Sequence, residues 1–122
     1  MTTPRQVLDA AVSEQDWQKW VIDYAHLKAW TAVHHRPARI GRTYINKKGE
    51  VKESWQTHYQ GDGKGEWDLH LYRERVVVIE CKTEKGTLSP EQEHWGYVYE
   101  GAGQEHYCLR PSDFERVMKV LE

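Results

Sequence analysis

From Ser13 onward the apolar side chains Trp17, Trp20, Val21, Tyr24 and Leu27 recur at steps of three and four, with Lys28 in the same series, the spacing of one helical face. Ser13 is placed to cap this helix, and Glu14 and Asp16 lie beside the positive end of its dipole. Trp30 to His34 reads as a strand that Pro37 interrupts, and a polar stretch punctuated by Gly41, Gly49, Gly61, Gly63 and Gly65 runs on to Glu66. Within it Arg42 to Ile45 and Val51 to Thr57 flank the turn-like run Asn46-Lys47-Lys48-Gly49, so the pattern allows a two-stranded excursion in a long loop. Loops of this length usually carry function or lack order.

Trp67 to Tyr72 alternates in strand fashion, Arg73-Glu74 predicts a tight turn, and Arg75 to Thr83 predicts a second strand centred on Val76, Val77, Val78 and Ile79. A centre apolar on both faces implies helices covering the sheet on both sides. Ser89-Pro90-Glu91-Gln92 starts a helix, with Ser89 as N-cap, Pro90 in the first helical position and Gln92 closing a capping box; Gly101 or Gly103 ends it. His106 to Leu109 predicts a short strand, and Pro111-Ser112-Asp113 opens a last helix with Phe114, Val117, Met118 and Leu121 on one face. The predicted fold class is α/β, a mixed sheet flanked by helices, in the order helix, strand, long loop, strand, strand, helix, strand, helix.

At 122 residues the chain fits one domain, 1–122, in which 37–66 is a long basic loop or hairpin insertion. Six tryptophans and seven tyrosines supply enough apolar surface for a core although charged residues make up 30% of the chain. Cys81 and Cys108 show neither disulfide-framework nor zinc-ribbon spacing, which points to a reducing compartment. The longest apolar run, Val76 to Ile79, is far too short to span a membrane, and the first residues hold no signal-peptide core, so the expected location is cytoplasmic.

The net charge of −2 conceals an asymmetry. Between Arg36 and Lys64, the basic residues Arg36, Arg39, Arg42, Lys47, Lys48, Lys52 and Lys64 face only Glu50, Glu53 and Asp62. Such a segment in an acidic chain suits phosphate groups, and it equally suits a solvated loop.

In the predicted strand ending Ile79-Glu80-Cys81-Lys82, alternation puts Glu80 and Lys82 on one face and Cys81 on the other. Asp68 can join them across the hairpin if the register allows. Two carboxylates suit a hard divalent cation such as Mg²⁺, which keeps several waters and takes phosphate oxygens, and the Cys81 backbone carbonyl is a further candidate ligand. In phosphodiester hydrolysis such an ion lowers the pKa of bound water and offsets charge on the phosphate. Lys82 would position the attacking water, stabilise developing charge or act as general base. The competing reading of Glu80 and Lys82 is a solvent-facing ion pair.

The run G-x-x-D at Gly65 and Asp68, then V-V-V-I-E-C-K-T-E-K-G-T-L-S-P-E-Q from Val76 to Gln92, then A-G-Q-E-H-Y-C-L-R-P-S-D from Ala102 to Asp113, resembles the virus-type replication-repair nuclease (VRR-NUC) family of the PD-(D/E)xK nuclease superfamily. The resemblance covers Ser13 to Glu122 and implies that superfamily's restriction-endonuclease-like core. It assigns Asp68, Glu80 and Lys82 to the family's catalytic D, E and K. Glu14 matches the acidic residue of the first helix, a further metal or catalytic candidate, and Gln92 matches a glutamine at the edge of the active site. Glu14 is equally a first-turn dipole partner and Gln92 equally a capping residue. The family usually places proline immediately before the metal-binding aspartate; Trp67 stands here, after Glu66, which bears on strand geometry and substrate fit more than on metal binding.

The resemblance therefore implies a Mg²⁺- or Mn²⁺-dependent DNA endonuclease with no organic cofactor. It implies action on four-way junctions, flaps or other branched DNA, in phage replication, recombination or repair, and so in host cytoplasm. A homodimer would match a two-fold junction. Arg36, Arg39, Arg42, Lys47, Lys48, Lys64 and Lys85 are the candidate DNA contacts, Lys85 alternatively decorating the turn at Gly86. The alternatives are a non-cleaving DNA-binding module of the same fold and a plain interaction domain. His34 and His35 sit where they could reach a phosphate, without a Cys or Asp nearby in sequence to complete a zinc set; His70 is either a partner on the face of Asp68 or a structural histidine. The tryptophans of the first helix read as core or as a subunit interface.

Overall fold

The computed structural model describes the backbone of residues 2–35, 38–58 and 61–122, and their side chains apart from 38–42 and 53–58. Two helices, α1 (Pro4–Ala11) and α2 (Glu14–Leu27), precede strand β1 (Thr31–His34) and a hairpin of β2 (Ala38–Ile45) and β3 (Val51–His58). Then follow β4 (Leu69–Tyr72), β5 (Val76–Cys81), α3 (Pro90–Gly101), β6 (His106–Leu109), a 3-10 turn at Pro111–Asp113, and α4 (Phe114–Val120). One sheet has the order β1-β4-β5-β6, with β6 parallel to β5 and the other neighbours antiparallel; β2 and β3 form a second, two-stranded sheet. The protein is thus mixed α/β with a mixed central sheet, as its pattern predicted.

The connection between β4 and β5 decides the geometry of everything at the sheet end. Tyr72 pairs with Val76, and the Arg73 N–H donates to the Arg75 carbonyl at 3.0 Å, so three residues make the turn rather than the two expected from Arg73-Glu74. Arg75 belongs to the turn because its guanidinium is drawn outward, donating to Glu105 Oε1 at 2.8 Å and to the Val120 carbonyl at 2.5 Å. A one-residue change of register would move every side chain of one strand to the other face. With Leu69 opposite Ile79, the next pair out is Asp68 opposite Glu80.

Alternation then builds two cores. Leu69, Leu71, Val77, Ile79 and Cys81 face α2 and α4, where they pack with Val21, Ala25, Val117 and Leu121. The opposite face sets Val78 against Trp67 and Tyr99, with Trp95 and Leu88 alongside. Two buried indoles lock the first core: Trp17 Nε1 donates to the Leu109 carbonyl at 2.9 Å and Trp30 Nε1 to the Leu121 carbonyl at 3.0 Å. Trp17 and Trp30 are therefore core residues, while Trp20 stacks on Trp17 and Tyr24 and remains partly exposed.

Helix α2 begins where Ser13 predicts, its hydroxyl accepting from the Asp16 N–H at 3.0 Å. The pattern missed α1, although Thr3-Pro4 with Gln6 forms a full capping box of the type seen at Ser89. Its face is sparse in apolar residues, and Val7 and Leu8 are exposed; it is held instead by Arg5, which pairs with buried Asp9 at 2.9 Å and lies over the Phe114 ring. The segment read as a long loop holds the β2–β3 hairpin, longer than the strands expected within it. Its turn follows the predicted chemistry, Asn46 Oδ1 accepting from the Lys48 and Glu50 N–H groups while Gly49 supplies φ +80°. Among the described residues, no helix is long and apolar enough to cross a membrane.

Candidate active site

Asp68 and Glu80 meet at the end of the paired strands β4 and β5. Asp68 sits just before β4: its carbonyl accepts the His35 N–H at 2.6 Å, and its backbone amide favours the charged form of Glu80. Glu80 is 1% exposed, and its Oε1 is fully buried without a hydrogen-bond partner. Burial first, and the neighbouring Asp68 charge second, push its pKa up to about 7, against the opposing pull of Lys82 and the Asp68 amide. A buried, half-neutralised carboxylate beside a second carboxylate is costly as apo protein. A divalent cation would supply the missing partner, so these residues fit a two-carboxylate Mg²⁺ or Mn²⁺ site.

Lys82 closes the group. Its Nζ lies 3.9 Å from Glu80 Oε2 and 4.0 Å from Glu14 Oε1, and its side chain is largely buried. Glu14 thus comes to the site as the first residue of α2, facing the ammonium. Among the described residues, Asp68, Glu80 and Glu14 do not converge on a single three-ligand point, so Glu14 serves the lysine more directly than an ion. Cys81 turns its side chain into the core, where burial pushes the thiol well up; only its backbone is left for the site.

Two more side chains join from elements the motif does not cover. His34, at the end of β1, places Nε2 3.9 Å from Asp68 Oδ2 and 3.1 Å from Gln18 Nε2. Gln18 is one helical turn after Glu14, so one face of α2 presents both residues toward the sheet end. Sequence spacing alone carried a weak hint of this in the i, i+4 pair, and none of the pairing with His34.

Trp67 does what a proline could not. Its N–H donates to Tyr99 Oη at 3.3 Å and its Nε1 to the Gln92 carbonyl at 2.9 Å, while the ring packs edge-on against Tyr99. Gly65, at φ +83°, lies so close to α3 that an added Cβ would stand 2.5 Å from Glu91 Cβ and 2.7 Å from its carbonyl carbon. The start of β4 is therefore pinned to the first turn of α3 immediately before Asp68. Gln92 takes part as scaffold: its Oε1 accepts the Ser89 N–H at 2.9 Å in the capping box. The side-chain oxygen of Gln92 is thus engaged by the helix cap.

The basic residues divide. Arg36 and the side chains of Arg39 and Arg42 lie outside the described residues. Lys47 and Lys48 stand exposed at the tip of the β2–β3 hairpin. Lys64 pairs with Glu91 at 3.4 Å next to the start of α3, and Lys52 pairs with Glu50 at 3.1 Å. Lys85 lies with Glu84 and Ser112 along a cavity beside α1, so the sequence segment does not form one described basic surface.

No family model matches the chain, and comparison with curated proteins and with solved structures returned no match.

Proposed function

We propose that the protein is a Mg²⁺- or Mn²⁺-dependent DNA endonuclease with a PD-(D/E)xK type of site. The observation that carries this reading is the orphaned, buried Glu80 Oε1 beside Asp68, with the Lys82 ammonium on the other carboxylate oxygen. An ion bound by Asp68 and Glu80 would supply Lewis acidity and a more acidic bound water. With its pKa raised to about 7, Glu80 is partly protonated near neutral pH, so binding of an ion would release that proton. Lys82 keeps its ammonium directed by Glu14 and Glu80, where it offsets the negative charge of a phosphate in flight and orients the water. The Asp68 amide favours the Glu80 charge, and His34, itself bonded to Gln18, restricts the Asp68 carboxylate from the side of α2.

The substrate in this reading is branched DNA, such as four-way junctions or flaps, in phage replication, recombination or repair within the host cytoplasm. Lys47 and Lys48 at the hairpin tip extend the reach of the protein along a duplex, and a homodimer would set two sites across a two-fold junction. Cleavage of labelled junction, flap and linear duplex with Mg²⁺, Mn²⁺ or EDTA tests the proposal. Metal-dependent cutting supports it, and salt-sensitive binding without cutting replaces it with a DNA-binding module.

A further inference from the structure

A second set of metal-ligating side chains lies next to the carboxylate pair and has no part in the reading above. His35 follows β1, Glu66 precedes β4 and His70 lies within β4. One ligand atom from each falls within 4.8 Å of the others, the one such three-residue group among the described residues. The His35 and His70 rings meet edge-to-face with centroids 4.4 Å apart, and His70 Nε2 is 3.5 Å from Glu66 Oε1. We propose that His35, Glu66 and His70 form a site for a borderline divalent transition ion, Zn²⁺ foremost, distinct from the all-oxygen pair of Asp68 and Glu80.

Three arguments support it. The donor set is two imidazoles and a carboxylate, which favours zinc or a similar ion over Mg²⁺. Backbone sets two of the positions: the His35 N–H is bonded to the Asp68 carbonyl at 2.6 Å, and His70 Nε2, 3.1 Å from the Trp67 carbonyl, exchanges that contact for the ion when its proton leaves. The closure needed is small, because metal bonds of about 2.0–2.1 Å in a tetrahedron put ligand atoms about 3.4 Å apart, against the 4.8 Å within which these atoms already lie. Three protein ligands leave a fourth position for water.

The location gives the site a consequence. Glu66 and His70 flank Asp68 at two residues on either side, and His35 is its partner across the sheet. An ion there would clamp the segment that carries Asp68, making it a positioning site rather than a catalytic one.

The test uses Co²⁺ and Zn²⁺ alone with the full chain, and does not depend on nuclease activity. Visible absorption of Co²⁺ reports coordination, and a chromophoric chelator competing for Zn²⁺ reports affinity. One equivalent of Co²⁺ with the intense bands of four-coordinate geometry is expected, with affinity falling about 10-fold or more in both His35→Gln and Glu66→Gln and unchanged in Glu80→Gln. Absence of saturable binding at millimolar ion would overturn the proposal. So would intense four-coordinate Co²⁺ bands that survive His35→Gln and Glu66→Gln, or bands lost in Glu80→Gln, which would place that ion on the carboxylate pair. His35 is exposed, so its variant tests the site even where His70→Gln disturbs folding.

Discussion

Asp68 stands opposite Glu80 in the register that pairs Leu69 with Ile79, where its backbone amide favours the charged form of Glu80 and its carboxylate opposes it. One residue therefore acts on Glu80 in both directions, and burial together with the Asp68 charge outweighs the amide. In metal-free protein the folded value of about 7 lies above the ordinary 4.5, so the folded state binds the extra proton between these values. Stability should fall as pH rises through that window, with the penalty absent below about 4.5 and complete above about 7, on the order of 3 kcal/mol. Glu80→Gln should flatten this dependence and raise the midpoint of urea unfolding at pH 8 in EDTA. Equal pH profiles for the two proteins would contradict the assignment.

The same proton couples to the ion. Mg²⁺ or Mn²⁺ should raise Tm more at pH 8 than at pH 5, because Glu80 must give up its proton to bind. Calorimetry in buffers of different ionisation enthalpy should show proton release near neutral pH, and Asp68→Asn should weaken both the binding and the release.

Trp67 and Gly65 anchor the approach to Asp68. Trp67→Phe removes the indole bond to the part-buried Gln92 carbonyl and should cost about 0.5–1.5 kcal/mol. Trp67→Pro also removes the N–H bonded to Tyr99 and the aromatic packing, and should cost more. Gly65→Ala meets the α3 backbone and carries a left-handed φ, so it too should lower Tm. Urea unfolding of each variant measures these effects. A Trp67→Pro protein as stable as wild type would contradict the anchoring role of the indole and the Trp67 N–H.

Gln92 tests scaffold against chemistry. Loss of the capping box in Gln92→Ala should cost about 0.5–2 kcal/mol, seen as an earlier urea midpoint. Any loss of activity should be recovered by lowering the temperature. A large activity loss with unchanged stability would make Gln92 part of the reacting group.

Much of this arrangement was legible in the sequence because the signals were local. Ser13 and Ser89 cap the helices they predict, while the strand expected to run to Thr83 ends at Cys81, so Lys82 stands one residue past β5 and 3.9 Å from Glu80. The turn between β4 and β5 was read one residue short, and that single residue sets which side chain Asp68 meets, so its pairing with Glu80 could not be read from spacing. Helix α1 escaped because its stability comes from Arg5, Asp9 and Phe114 rather than from an apolar stripe. The grouping of His35 with Glu66 and His70 needed β1 to pair with β4, a contact between segments more than 30 residues apart in sequence, for which the chain carries no local sign.

The central claim is that Asp68, Glu80 and Lys82 act together on a phosphodiester. Cleavage of a labelled four-way junction in Mg²⁺ or Mn²⁺, compared for wild type, Asp68→Ala and Lys82→Ala, tests it most directly. The account predicts metal-dependent cutting that EDTA abolishes and that each substitution lowers by about 100-fold or more, in line with loss of a charge-stabilising group, while both variants stay folded and still bind the junction. Undiminished cutting by folded Lys82→Ala, or no cutting by wild type with either ion, would contradict it.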